Sequence, residues 1–278
     1  MEADSFYHPG ELANFFDQYG QREWQRLVDS PVGEISLYLH THYLQKYVEP
    51  GMRVLEIGAG PGRFTQVLGS FGVRVVVADI SPVQLDLNRA NAIEHGFADS
   101  VEKWIQLDIC DQSVFEDASF DCVVVYGGPL SYVLDQRDVA LSECMRVLKP
   151  GGLLLLSVMS LWGTCHRFLP GVVQDTPIEA NQQIIATGDI SPATHVARGD
   201  SFMHLFRANE LRTWLEQAGL KIIALSASGC LGINWENLLK EIRNDEEKWN
   251  ELLRMELEAS ATPGCLDMGT HLIAVTQK

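Results

Sequence analysis

The chain has 278 residues, 46% of them hydrophobic, enough for one large α/β domain or two small ones with a well-buried core. Its 37 acidic side chains against 21 basic ones leave a formal charge of -16, which repels nucleic acid and anionic membrane over most of the surface. The six cysteines lie far apart, with no C-x-x-C pair and no histidine at zinc spacing, so reduced thiols and no metal are expected. The opening MEADSFYHPGEL is acidic and polar where a signal peptide is basic and then apolar, and no apolar run approaches the roughly 20 residues that span a bilayer. A cytoplasmic protein without nucleic-acid or membrane partners is the expectation.

From Glu11 to Val48, apolar and aromatic positions such as Leu12, Phe15, Phe16, Tyr19, Leu37, Leu39 and Leu44 recur at helical spacing and predict two helices, the second stopped by Pro50-Gly51. Short β-branched runs then alternate with helical stretches. Strands are predicted at 53–58, 74–79, 101–107, 121–127 and 152–159, with helices at about 62–70, 82–95 and 136–148. Runs such as CVVVY and LLLLSV lack polar alternation, as parallel strands covered on both faces do. That rhythm is a doubly wound α/β sheet. From Ser160 to Leu205 it breaks into a stretch holding Trp162, Pro170, Pro177 and Pro192, too long for an ordinary connection and read as a lid or binding element. A helix at 209–219, a strand at 220–227, an acidic helix or helix pair at 235–258 and a last strand at 270–278 complete the chain. The acidic 241–258 segment reads as a solvated helix face.

Between the first predicted strand and helix lies VLEIGAGPGRFT, residues 54–65. Glycines at a strand-to-helix turn let a ligand approach the main chain with no Cβ in the way. A phosphate-cradling loop would end in G-K-[ST], and this one ends GPGRFT. A dinucleotide fingerprint is G-x-G-x-x-G/A, whereas here the third glycine falls one place early.

The stretch Glu56-Ile57-Gly58-Ala59-Gly60-Pro61-Gly62 resembles the first motif of class I S-adenosylmethionine-dependent methyltransferases, and further motifs appear in order: Asp79 in VVVADIS, Asp108 in LDICD, SFDCVVVYGGPLSYV and RVLKPGG. The opening FFDQYGQREWQRL and the ending GTHLIAVTQK are similar to those of a broad bacterial group of small-molecule methyltransferases. The resemblance implies a seven-stranded Rossmann-like sheet of order 3-2-1-4-5-7-6, with the last strand antiparallel, and S-adenosylmethionine as cofactor with S-adenosylhomocysteine as product. It implies transfer of a methyl group to an oxygen, nitrogen or sulfur of a small molecule. Glu56, Gly58, Ala59, Gly60, Gly62, Asp79, Ile80, Asp108, Ile109, Tyr126 and Gly127 are the implied cofactor contacts. Asp79 would accept from the ribose hydroxyls, Asp108 would meet the adenine amino group, the Ile109 amide would face a ring nitrogen, and Glu56 would bond the methionine amino group. Where this group tends to carry Tyr-His after the Gly-Pro-Leu of the fourth-strand exit, this chain has Ser131-Tyr132.

Methyl transfer from a sulfonium needs alignment, exclusion of water and, for some acceptors, a base. His166, His195 and His204 are the candidate bases, with His204 first because it precedes the helix that returns the chain to the sheet. Tyr126 and Tyr19 join His204 as catalytic candidates, and Tyr7, Phe16, Tyr132 and His166 are the candidate acceptor contacts. Tyr7, Phe16, Tyr19 and Trp24 are read as an aromatic lid, Arg22 and Arg26 as reaching the cofactor carboxylate, and His271 as structural. The expected layout is an N-terminal helical cap (1–50), a cofactor-binding half (51–159), an insertion or lid (160–206) and the rest of the same α/β domain (207–278). The expected partner is a small-molecule acceptor, on a monomer or homodimer. The alternatives are an NAD(P)-dependent oxidoreductase and a non-catalytic S-adenosylmethionine-binding regulatory protein.

Overall fold

The computed structural model describes residues 6–191, 194 and 202–278. Three N-terminal helices, α1 (Pro9–Tyr19), α2 (Arg22–Gln25) and α3 (Pro31–Tyr47), stand where two were expected. Gly20, at φ 57°, turns the chain out of α1, and the Ser30 hydroxyl accepts the Gly33 amide to start α3 afresh at Pro31.

The alternating part follows as β1 (Arg53–Ile57), α4 (Arg63–Gly69), β2 (Arg74–Asp79), α5 (Pro82–Glu94), β3 (Val101–Gln106), β4 (Phe120–Val125), α6 (Pro129–Tyr132), α7 (Arg137–Val147) and β5 (Leu148–Met159). After an insertion that holds α8 to α10 and the strands β6 and β7 come α11 (Ala208–Gln217), β8 (Lys221–Ala227), α12 (Glu236–Ile242), α13 (Glu246–Ser260) and β9 (His271–Gln277). The strands form one sheet of order β3-β2-β1-β4-β5-β9-β8, with β9 antiparallel to both neighbours. This is the expected order, the sixth and seventh predicted strands being β8 and β9.

Successive residues of a strand face opposite sides. Val123, Leu154, Leu156 and Ala274 therefore pack on one face with Leu141 and Cys144 of α7 and Leu211 and Leu215 of α11. Cys122, Val124, Leu155 and Val275 pack on the other with Leu39, Tyr43 and Leu44 of α3 and Leu239 of α12. Both faces being covered, the apolar runs carry no alternation. The parallel strands all end on one side of the molecule, and antiparallel β9 begins there.

The insertion corrects the sequence reading. Its described residues are mostly helical, with α8 (Leu161–Arg167), α9 (Leu169–Gln174), α10 (Ile178–Thr187) and a short antiparallel pair, β6 (Asp189–Ile190) and β7 (Met203–His204). Pro170 lies in the first turn of α9 and Pro177 caps α10, positions where a missing N–H costs no hydrogen bond. Pro170 and Pro177 are thus helix starts within a stretch read as a lid or binding element. Pro192 and His195 lie outside the described residues. A second correction concerns α13: Glu256 is fully buried and accepts the amides of Cys230, Leu231 and Gly232 at 2.8, 3.2 and 2.6 Å, so one acid of this helix anchors a loop rather than meeting solvent. Among the described residues, no helix is long and apolar enough to cross a membrane.

Candidate active site

The glycine loop turns at the end of β1 on left-handed backbone, with φ of 69° at Gly58, 53° at Gly60 and 99° at Gly62. A Cβ at Gly58 would lie 2.4 Å from Pro129 Cγ, so packing alone demands that glycine. At Gly60 a Cβ would meet nothing nearer than Glu23 Cγ at 3.5 Å; this glycine keeps space open at the cleft instead of relieving a clash.

Asp79 closes β2 and is 5% exposed. Its carboxylate accepts the Gly60 amide at 2.7 Å and the Ser81 amide at 2.9 Å, which pins the loop to β2. Burial pushes this carboxyl up to about 6, against the pull of the two amides. Glu56, inside β1, accepts the Thr65 hydroxyl at 2.7 Å, and burial pushes it up to about 8. The structure places Glu56 behind the loop as a brace.

In front of the loop opens a cleft walled by the N-terminal helices, the glycine loop and the carboxyl ends of the strands. It brings together Gly58, Ala59, Gly60, Asp79, Ile80, Ile109, Tyr126 and Gly127 of the expected cofactor set with Tyr7, Phe16 and Tyr132 of the expected acceptor set. Glu56, Gly62 and Asp108 are not among its walls. Gly62 is the N-cap of α4, and Asp108 accepts the Tyr7 hydroxyl and the Cys110 amide, both at 2.8 Å. Burial and the Asp108 charge raise the Tyr7 phenol, so it stays a donor. The hydroxyl latches the N-terminal segment to the end of β3. Phe16 meets Tyr132 edge to face at 5.5 Å, and burial pushes the Tyr132 phenol up to about 12.

Two of the three histidines expected to act as bases, His204 and His166, are elsewhere, and the third, His195, lies outside the described residues. His204 has Nδ1 2.7 Å from Asp189 and Nε2 2.7 Å from Glu210, so both ring nitrogens are taken and neither points at the cleft. His166 is exposed on α8, with Nε2 2.9 Å from Asn234 Nδ2. Tyr19 lines a separate depression with Phe15, Gln18 and Arg22, under the Arg22 guanidinium, which lies 4.7 Å from its ring centroid. Trp24 is no lid: it is 5% exposed, packs with Ala92 and Phe97, and carries the Arg63 guanidinium 3.7 Å over its ring. Among the described residues, none of the 160–206 insertion lines the cleft, so the expected second wall is absent from them.

Several wall residues were not anticipated. Gln84 donates to the carbonyls of Phe16 and Gly20 at 2.8 and 3.2 Å, while its Oε1 is buried without a partner. Arg63 donates to the Trp24 carbonyl at 2.6 Å, and its Nε is likewise buried and unpaired. Ser81-x-x-Gln84 is a capping-box spacing, so the visible signal at Gln84 announced a helix start and not a cleft. Glu23 is a further unanticipated wall residue, and it forms an ion pair at 2.6 Å with Arg26, which was expected near the cofactor carboxylate and does line the cleft.

These walls fit S-adenosylmethionine. Asp79 and Glu23 near the open glycine suit a cationic ligand, Ile80, Leu107, Ile109 and Val133 suit a flat apolar base, and the orphaned Gln84 and Arg63 atoms await polar partners. Among the described residues, no group of three or more His, Cys, Asp or Glu side chains is placed to hold a metal ion.

Comparison with known proteins agrees with this geometry. Residues 55–156 match a family model described as a methyltransferase domain. A ubiquinone/menaquinone biosynthesis C-methyltransferase of Hahella chejuensis is 40% identical over 113 residues, which is 39% of this chain and 43% of that protein. The corresponding protein of Teredinibacter turnerae is also 40% identical over 113 residues, with the same coverage. The match thus spans less than half the length of these relatives. Among solved structures, an S-adenosylmethionine-dependent methyltransferase of Methanosarcina mazei shares the fold with a TM-score of 0.58 at 19% identity, covering 85% of this chain and 96% of that one. A Burkholderia thailandensis 1,6-didemethyltoxoflavin-N1-methyltransferase, solved with its acceptor and S-adenosylhomocysteine bound, shares it with a TM-score of 0.56 at 15% identity over 100% of this chain and 93% of that one.

Proposed function

We propose that this chain, whose residues 55–156 form a methyltransferase domain on the class I fold, transfers a methyl group from S-adenosylmethionine to a small-molecule acceptor by in-line displacement. The observation that carries the reading is a single cleft in which the glycine loop, the Asp79 carboxylate pinned to it and an aromatic opening of Phe16, Tyr126 and Tyr132 face one space. The cofactor, when bound, supplies an activated methyl on a sulfonium leaving group. The protein's share is alignment and dryness. Asp79 and Ile80 would hold the ribose, Ile109 the base and Arg26 the carboxylate, while the Tyr7 latch and the Phe16–Tyr132 pair close the N-terminal helices over the cleft.

In this reading α1 to α3 are a cap, and the acceptor atom is oxygen, nitrogen, sulfur or carbon. Carbon enters because the Hahella and Teredinibacter relatives are named as C-methyltransferases. A monomer or homodimer acting on a small soluble molecule is consistent with the enclosed cleft and the charge of -16.

Calorimetry with S-adenosylhomocysteine and with NADH, followed by methyl transfer from tritiated cofactor to an acceptor panel, tests the proposal. Saturable binding of the first and none of the second is expected. NADH binding without S-adenosylhomocysteine binding would sink the reading, and cofactor binding with no methylated product beside a co-purifying protein would favour a regulatory subunit.

A further inference from the structure

Gln84, in the first turn of α5, is 1% exposed and lines the cleft. Its amide nitrogen donates to the carbonyls of Phe16 at 2.8 Å and Gly20 at 3.2 Å. Both partners only accept, so the amide cannot be flipped and the atom turned the other way is Oε1. Oε1 is buried with no partner among the described residues. It is also the atom of Gln84 that approaches Gly60: a Cβ built at Gly60 would lie 3.9 Å from it, the nearer neighbour being Glu23 Cγ at 3.5 Å. Glycine leaves that position empty, and a ligand oxygen displaced from it by about 1 Å toward Gln84 would stand at hydrogen-bond distance.

Gly60 meets a second acceptor in Asp79, whose Oδ2 takes the Gly60 amide at 2.7 Å. Glu23 is already engaged, with both carboxylate oxygens on Arg26 at 2.6 to 2.9 Å. That leaves the Asp79 carboxylate and the neutral Gln84 oxygen at one glycine, so a ligand held by both must bring two donors. An ammonium would lose its hydration for an uncharged amide oxygen, whereas two adjacent neutral hydroxyls are matched, one by the carboxylate and one by the amide. A buried acceptor without a partner penalises the free protein, and a hydroxyl arriving with the ligand removes that penalty. The same planar amide holds the end of α1 through the Phe16 and Gly20 carbonyls, and Asp17 of α1 accepts the Ser81 hydroxyl three residues before it.

Resting on the methyltransferase reading above, we propose that Gln84 is a cofactor-recognition residue: its Oε1 accepts one hydroxyl of the S-adenosylmethionine ribose while Asp79 accepts the other, which ties the end of α1 to the ligand it covers. Calorimetry with S-adenosylhomocysteine and its 2′-deoxy and 3′-deoxy analogues, on the wild-type protein and on Gln84→Met, tests this. Each missing hydroxyl should weaken wild-type binding. Gln84→Met, of similar length but without the acceptor, should lose about tenfold more affinity for S-adenosylhomocysteine than for one of the two deoxy analogues, because variant and analogue then lack the same contact. In the wild-type protein the ¹³C resonance of the Gln84 side-chain carbonyl should move with S-adenosylhomocysteine and move less with that analogue, a readout that does not depend on the variant's folding. Unchanged S-adenosylhomocysteine affinity in Gln84→Met, an equal loss toward all three ligands, or a carbonyl resonance indifferent to either missing hydroxyl would overturn the assignment while the cofactor still binds. Failure of the wild-type protein to bind S-adenosylhomocysteine would instead remove the methyltransferase reading beneath it.

Discussion

A side chain added at Gly60 has open cleft before it, the nearest protein atom to its Cβ being Glu23 Cγ at 3.5 Å. Gly60→Leu should therefore abolish S-adenosylhomocysteine binding by calorimetry while the circular dichroism of the sheet persists; unchanged affinity would place the cofactor elsewhere. Glu56 makes a different kind of prediction. Its carboxyl rises from an ordinary 4.5 to about 8 through burial, so between those values the folded state holds a proton that the unfolded chain has released. Stability then falls as pH rises from about 4.5 to about 8 and levels off above. Asp79 adds a fall of the same sign between 3.8 and about 6. Urea unfolding of Glu56→Gln should lose the part of the slope above pH 6; an unchanged slope would mean that another group carries it. Asp79 was legible because its offset from the loop is local, whereas the Tyr7–Asp108 bond joins residues 101 apart, and no spacing rule reaches that far.

At the scale of elements, β7 is tied to α11 by one ring. His204 lies between Asp189 and Glu210 at 2.7 Å each, and only an imidazolium donates to both. Burial opposes its charge, but the hydrogen bonds to Asp189 and Glu210 outweigh burial and raise its pKa above 6.5. The stability it contributes is complete below pH 6.5 and is lost as pH rises through the folded value. With the two carboxylates 39% and 32% exposed, His204→Gln should cost on the order of 1–2 kcal/mol at pH 6 and less at pH 9, by urea unfolding. An equal loss at both pH values would make its role one of packing. The helices α8 to α10 escaped the sequence reading for a related reason. Their segments are six to ten residues long, too short for a periodicity to outweigh the prolines that start them.

Across the whole molecule, one sheet carries the site on the side where β1, β2, β4 and β5 end and antiparallel β9 begins. That geometry seats His271 of the last strand near His40 of an N-terminal helix and places His204, within the insertion, in a separate ion-paired cluster. By itself the sequence determined the alternation of strands and helices, the glycine loop and the acid that follows it, because each depends on residues near one another in the chain: burial of both strand faces, positive φ at a tight turn, and a strand-length offset. Which aromatic rings share the cleft was decided only by tertiary structure. Identical histidines at loop or strand positions carry no local mark of which neighbours the sheet order and helix packing will bring to them.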